Sequence, residues 1–551
     1  MLKFLMIMNK CFVLLIAISS LISLTVVPVI GQIQFDDVTE SAGLIEPLKG
    51  MKGHSASWGD VTGNGYPDLF VGTFSDRPDS IYATRGHNAK AEPDKLFLNR
   101  GDGTFEEVLE SPVRQYGRCS GSAFADFDND GDLDLVVSHN ARTPNSSKPQ
   151  HKTGNFLFEN KGQGEFIDVT KKSGLNFGLP FTGRSTFVFD YNGDGLLDLF
   201  MQEDWVLDSI SGGNSRLMEN RGGLVFKDVT SEAGFPHGFR KGLYGLGGFV
   251  GDMNGDLWPD VFFSHSCRMF INNRNGTFRE KVYEMVPPKY QLPGTSADGY
   301  WTCAADLGDL DNDGDMDVVM GQHFLDLDTV KQKIFVFLNE GNDADGNPIL
   351  RDITKESQVE QPSRRTPNIQ LQDIDNEGMV DILATSGNKF VYRNTGIQGG
   401  IPHFDKPTDS GIKEGNGYWA CGPFGDFDRD GRLDFFGPEW LSSARSVLLK
   451  NETPGAQHYL AVKLELEEGP NRNGVDARVD IYTRGKLGNE EGRIASRIIT
   501  VSNGYASGYE AIAYFGLPDH EKVDIRVSMP CGGTIYNATT VQRNQLYIFR
   551  K

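Results

Sequence analysis

The sequence predicts an all-β chain: a seven-bladed β-propeller over residues 32–453, followed by a small β-sandwich domain over residues 454–551. Three observations carry that expectation. A nine-residue pattern, Asp-x-polar-x-acid-Gly-x-x-Asp, recurs seven times with openings 66, 64, 62, 57, 64 and 53 residues apart, and a period of that size marks a repeated supersecondary unit. Each copy lies between short apolar runs, four of which fit into one period, as in a propeller blade. The chain also carries 65 glycines among 551 residues, which suits short strands joined by tight turns.

The chain opens with MLKFLMIMNKCFVLLIAISSLISLTVVPVIGQ, where Lys3 and Lys10 are the only charges before Asp36. Residues 1–31 read as a cleaved secretion signal, with an uncleaved anchor as the alternative. No later stretch is apolar enough to span a bilayer, so no membrane insertion is expected after cleavage. Then comes IQFDDVT (33–39), which runs into DVTESAGL (37–44). The same form, DVTKKSGL (168–175) and DVTSEAGF (228–235), ends two later units, and the seventh unit stops at SVLLKN without a fourth strand. IQFDDVT is therefore expected to complete blade seven and close the ring, which leaves no open sheet edge.

Within a unit, a first strand such as GSAFA (121–125) leads into the acidic loop and a second such as LVVS (135–138) leaves it. A third strand ends in Asn (Asn99, Asn160, Asn220, Asn339, Asn394 and Asn451), and a fourth follows a Gly turn, as in GEFIDVT (164–170). The turn role makes Asn451 a poor glycan acceptor despite its sequon, whereas Asn145 lies in a polar, Pro-containing insertion. The tail reads as alternating strands, YLAVKLEL (459–466), ARVDIYT (477–483), SRIITV (496–501), VDIRVSM (523–529) and QLYIF (545–549).

Positions one, three, five and nine of the loops are Asp60, Thr62, Asn64 and Asp68; Asp126, Asp128, Asp130 and Asp134; Asp190, Asn192, Asp194 and Asp198; Asp252, Asn254, Asp256 and Asp260; Asp309, Asp311, Asp313 and Asp317; Asp373, Asp375, Glu377 and Asp381; Asp426, Asp428, Asp430 and Asp434. So much like charge in nine residues is costly unless a cation sits among it. Six to eight oxygens in flexible geometry suit Ca²⁺ better than Mg²⁺, which demands a stricter octahedron. Up to seven structural Ca²⁺ ions are expected. Loops two, five and seven are richest in carboxylate, loop one is poor in charge, and Leu257 stands in loop four where Gly would make the bend. Loss of residues 1–31 takes the formal charge from −21 to −23, and seven divalent ions would bring it to −9. The acid excess argues against nucleic acid as a partner. Beyond residue 31 the cysteines are five, widely spaced, and read as buried thiols rather than a disulfide framework.

These loops resemble the FG-GAP or VCBS-type repeats of integrin α-subunit propellers over residues 33–453. The tail, through NGVDARV (473–479), NGYASGYEAIAYFGL (503–517) and VSMPCGG (527–533), resembles the ASPIC/UnbV domain. Together they are similar to the cartilage acidic protein family. Asp476 and Met529 depart from that pattern, where Gly and Trp are usual, and the chain has no EGF-like module. The resemblance implies an extracellular setting.

Five residues past each loop the second strands end in Thr73, His139, Glu203, His265, Gln322, Ser386 and Glu439, and first strands begin near His54, Arg118, Arg184, Trp301, Arg365 and Trp419. Both sets are expected at the face away from the acidic loops, near the axis. Two functions stay open: a secreted calcium-binding module holding an extracellular protein or glycan at that mouth, or a carbohydrate-active lyase or dehydratase working there. No nucleophile elbow, phosphate loop or zinc-protease signature selects the second.

Overall fold

The computed structural model describes residues 32–550 apart from 77–89, 141–153, 177–182, 204–214, 237–245, 286–301, 323–331, 363–364, 386–388, 406–417, 441–444 and 468–470. Seven antiparallel sheets follow one another along the chain. Blade 1 pairs Gly53–Gly59, Asp68–Thr73, Lys95–Asn99 and Phe105–Glu107, and blade 2 pairs Cys119–Ala125, Asp134–His139, Gly154–Asn160 and Phe166–Asp168. Blades 3, 4 and 5 repeat that order from Gly183, Gly248 and Thr302. Blade 6 has three strands from Asn368 and a separate hairpin, Asn394–Gln398 with Ile401–Phe404.

First strands stand side by side around the ring, buried throughout except for half-buried Gln372 in blade 6, and the apolar residues between adjacent blades form the core. The expected closure is present: Phe35–Asp37 pairs antiparallel with Val447–Asn451, Phe35 opposite Asn451, as the outer strand of the sheet that holds Asp434–Gly437. Trp58 of blade 1 then donates to Pro423 O of blade 7 at 3.3 Å, joining the ring's two ends on the inner side.

The tail folds into two sheets around its own core. One joins Ile512–Gly516, Tyr459–Leu464 and Gln545–Phe549, and the other joins Arg493–Ile498, Arg478–Thr483, Lys522–Ser528 and Ile535–Gln542. The strand expected at 496–501 ends at Ile498. The chain then leaves the sandwich, and residues 502–508 run into the middle of the ring. Ala506 O accepts from Ala56 N at 3.3 Å, and Ser507–Gly508 pairs in parallel with the first strand of blade 1. Ser502 Oγ accepts from Val188 N of blade 3 at 2.8 Å, Gly504 and Gly248 of blade 4 exchange backbone bonds, and Ser507 Oγ accepts from Gly422 N of blade 7. Gly508 has no room for a side chain, since a Cβ would lie 2.4 Å from Ser57 Oγ. The segment read from sequence as part of a separate module is thus an axial plug. It satisfies inner-strand amides that would otherwise face an empty channel, and unpaired buried amides cost about 1–3 kcal/mol each.

Candidate metal centres and the opposite mouth

Every acidic loop is built the same way. Position four and position six have positive φ in all seven: Gly63, Asn129, Gly193, Gly255, Asn312, Asn376 and Arg429, then Gly65, Gly131, Gly195, Leu257, Gly314, Gly378 and Gly431. Leu257, at φ 66°, keeps the bend that its side chain argued against. The amide of position six donates to Oδ2 of the first Asp in every loop, from 2.7 Å at Leu257 N–Asp252 to 3.1 Å at Gly431 N–Asp426. Loop hydrogen bonds thus hold the leucine in a conformation that costs an L-residue roughly 1 kcal/mol.

The ninth residue is tied into the scaffold. Each of Asp68, Asp134, Asp198, Asp260, Asp317, Asp381 and Asp434 is buried and accepts two amides, position two of its own loop at Oδ2 and the third-strand Asn at Oδ1. That Asn (Asn99, Asn160, Asn220, Asn272, Asn339, Asn394 or Asn451) sends its side-chain N–H to the position-two carbonyl of the preceding blade's loop, seven times around the ring at 2.8–3.0 Å. Asn451 is fully buried in this role, as its turn reading requires. Asn145 lies outside the described residues.

Positions one, three, five and nine then decide which loops suit a cation. Carboxylate oxygens within 4.8 Å of one another come together from Asp126, Asp128 and Asp130; Asp309, Asp311 and Asp317; Asp373, Asp375 and Asp381; and Asp426, Asp428 and Asp434. In each group one buried oxygen has no hydrogen-bond partner: Oδ1 of Asp128, Asp309, Asp373 or Asp426. Burial foremost, then repulsion from loop neighbours, pushes Asp126 up to about 7 and Asp426 up to about 8. Clustered, dehydrated oxygens with open lone pairs fit a hard divalent ion. These four acidic clusters could hold a metal.

Basic neighbours distinguish them. In loop six Arg393 bonds Asp375 at 2.5 Å and also Glu377. In loop seven Lys450 sits 2.5 Å from Asp428 and Arg432 2.5 Å from Asp430, and in loop four Arg274 takes Asp256 at 2.8 Å. Among the described residues, loops two and five combine the cluster with no Lys or Arg side chain bonded to their carboxylates. Loops one and three, with Thr62, Asn64 and Asn192, assemble no such group of three acids.

The tail rests on this face. Arg472 donates to Asn129 O at 3.2 Å, Asn471 N to Gly195 O, Cys531 N to Leu257 O at 2.6 Å and Arg493 to Asp313 O. Gly516 N reaches Asp373 Oδ2 at 2.8 Å, and Arg429 donates two hydrogen bonds to the Glu510 carboxylate at 2.9 and 2.6 Å. Arg497 is buried near Asp309 and Asp373 beside a cavity of about 70 Å³ that Asp306, Asn503 and Tyr509 help line. Nothing in the sequence of the loops announced this cover.

The opposite ends of the strands hold the other candidate residues, and the structure divides them. His54 stacks on Phe74 (4.1 Å), meets Trp440 edge-on and accepts or donates to Tyr505 Oη at 3.2 Å. Arg184 donates to the same hydroxyl at 2.8 Å, Arg118 lies over Phe74 and pairs with Asp76, and Lys52 lies over Trp440. These converge on the plug's tip. Several others do not. His139 Nε2 bonds the buried Asp94 at 2.7 Å, Glu439 takes Tyr418 N with both oxygens, and Trp419 is a core residue against Phe435. Arg365 packs over the Tyr418 ring, while Glu203 and His265 are buried. Trp301 and Ser386 lie outside the described residues. Tyr505 was missed because its partners are more than 300 residues away; the run NGYASGY, small residues around one aromatic, was the available signal. The five cysteines among the described residues are free thiols, four of them buried.

A propeller with repeated acidic loops, four of them able to hold a metal, is the class these features define. Residues 75–137 and 252–320 match the FG-GAP-like repeat, and residues 467–551 match ASPIC and UnbV. The chain therefore carries FG-GAP-like repeats and an ASPIC and UnbV region. It is similar to cartilage acidic protein 1 of Mus musculus, 24% identical over 76% of this chain, and to that of Homo sapiens, 30% identical over 32% of it. The matches span 62% of the mouse relative's length and 25% of the human one's. Among solved structures it overlaps the Dos1 propeller (12% identity, 73% of this chain and 96% of that one, TM-score 0.38) and rhamnogalacturonan lyase YesW (13%, 84% and 73%, TM-score 0.36). Among the described residues no helix is long and apolar enough to cross a membrane.

Proposed function

We propose that this is a secreted, calcium-stabilised binding module whose mouth, floored by Tyr505, holds an extracellular protein or glycan. The observation that carries this reading is how the charged residues are spent. The first and last Asp of each acidic loop hold backbone amides and tie neighbouring blades, so an ion there rigidifies the ring rather than reacting. At the mouth, His139, Arg118 and Glu439 are already engaged by Asp94, Asp76 and the Tyr418 amide, an arrangement that holds a surface in shape. His54, Arg184, Lys52 and Trp440 supply cationic and aromatic character suited to acidic sugars or acidic peptide segments. The leading Ca²⁺ sites are loops two and five, with up to seven ions in all.

A screen of immobilised glycans and matrix proteins, run with calcium and with chelator, tests this. Calcium-dependent capture is expected, and Arg184→Ala is expected to abolish it at a temperature where that variant is still folded. Turnover of a polysaccharide without stable capture would overturn the reading.

A further inference from the structure

Three side chains of different chemistry meet at the seam between blades 1 and 2, away from the acidic loops. Cys119 opens the first strand of blade 2 and His139 closes the second. The two are direct partners in the antiparallel register, so their side chains share one face of the sheet. Asp94 comes from blade 1, one residue before its third strand, Lys95–Asn99. One ligand atom from each of Asp94, Cys119 and His139 lies within 4.8 Å of the others, and all three residues are fully buried. His139 Nε2 is 2.7 Å from Asp94 Oδ2, and Asp94 Oδ1 accepts Thr73 N at 2.8 Å, which fixes the carboxylate in place. Gly72 leaves the room that the thiol needs, since a Cβ there would collide with Cys119 Sγ. The Phe156 ring stands edge-on to the imidazole, centroids 5.0 Å apart, and makes one side of the group apolar. The Asp94–His139 hydrogen bond accounts for two of the three residues. It does not account for the thiol beside them, whose sulfur makes a weak contact to Gly121 O at 3.8 Å. Thiolate sulfur, imidazole nitrogen and carboxylate oxygen are donors that Zn²⁺ takes at about 2.0–2.3 Å each, so donors on one ion lie within about 4.6 Å of each other. The three already lie close to that span, and the Asp94–His139 separation has to open by only about half an ångström for a tetrahedral ion. Ca²⁺ and Mg²⁺ take oxygen and do not suit a thiolate.

We propose that Asp94, Cys119 and His139 form a zinc site, separate from the acidic loops, that staples blade 1 to blade 2 near the mouth. Three protein donors leave the fourth tetrahedral position to one water. Binding releases the Cys119 thiol proton and displaces the proton between His139 and Asp94, so that the imidazole ligates through Nε2 and carries its proton on Nδ1. The thiolate and the carboxylate bring two negative charges, which balance the ion and leave the buried group neutral. The site stands independently of calcium in the loops and of any ligand at the mouth.

The test uses the full mature chain in excess Ca²⁺, with Co²⁺ as a coloured stand-in for Zn²⁺. Metal is added both to the folded chain and during refolding, because the three residues are fully buried. One Co²⁺ per chain is expected to bind with the near-ultraviolet charge-transfer band of a cobalt–thiolate bond, and added Zn²⁺ is expected to bleach that band. Cys119→Ala is expected to remove the band. Zn²⁺ is expected to raise the melting temperature of the wild type and not that of Cys119→Ala. If Cys119→Ala does not fold, Asp94→Asn, which keeps size, is expected to weaken Co²⁺ binding by about tenfold or more. Cys531→Ser, which removes the half-buried thiol, is expected to keep the band. A folded wild-type chain with no cobalt–thiolate band would overturn the site. So would a band that survives Cys119→Ala, or one that disappears as Ca²⁺ is raised, which would place the metal in an acidic loop.

Discussion

The two faces of the ring are built by opposite rules. On the acidic face one set of bonds repeats seven times: position six to the first Asp, position two to the ninth, and a third-strand Asn to the preceding blade's loop. On the mouth face, among the described residues, the side-chain contacts change from blade to blade: His54 stacks on Phe74, His139 pairs with Asp94, and Glu439 holds an amide. Repetition marks what the scaffold needs in every blade. Variation at equivalent positions marks where a surface is shaped for one purpose.

The largest expected effect is on the seam that both faces depend on. Deleting residues 32–40 removes the outer strand of blade seven and uncovers the edge of Val447–Asn451, although it touches no acidic loop. Aggregation, or unfolding at far lower temperature than the mature chain, is expected in a thermal scan with light scattering. A truncated protein that melts like the full one would break the claim that the ring closes there.

Chelation comes next and separates the faces by chemistry. An ion bound only by the native state, at a hundred times its dissociation constant, stabilises by about 2.7 kcal/mol per site. Removing calcium is expected to lower the melting temperature by many degrees, and Ca²⁺ to restore it better than Mg²⁺. Within that, Asp309→Ala is expected to cost more than Thr62→Ala, since it removes a charged ligand from a cluster of three and leaves Asp311 and Asp317 repelling each other with a weaker hold on the ion.

The repeated clamp gives a smaller, local effect. Asn272→Ala strands the carbonyls of Tyr191 and Pro259 and the amide of Arg274, all held by one side chain, and is expected to cost about 2–4 kcal/mol in urea unfolding. Asn273→Ala, one residue on and exposed, is expected to stay within about 0.5 kcal/mol. Equal effects would mean the clamp is incidental.

Smallest is Tyr505→Phe. It deletes only the hydroxyl shared by Arg184 and His54, so about 1 kcal/mol of stability is expected to go. Ligand capture is expected to fall several-fold, measured on whichever glycan or protein the screen returns. Unchanged capture would separate the plug from the mouth.

The sequence by itself determined the ring. Seven loops, the strand order around them, the closing strand at 33–39 and the turn role of Asn451 were all legible, because each is a local pattern repeated at a fixed period and a repeat shows itself without any long-range contact. The sequence also found the acids and ranked their loops by carboxylate count, but not by the basic side chains that compete for them, because Arg393, Lys450 and Arg274 come from outside the loops. It misjudged Leu257, where hydrogen bonds within the loop outweigh a residue's backbone preference. Only the tertiary structure decided the rest. NGYASGY reads with the tail because it lies between tail strands and carries the tail's resemblance, yet its small side chains fit it to an axis lined by amides from blades far away in sequence. Tyr505 owes its role to partners 321 and 451 residues distant. Such partners leave no periodic trace in a single chain, since what selects them is the space that remains once the ring has closed.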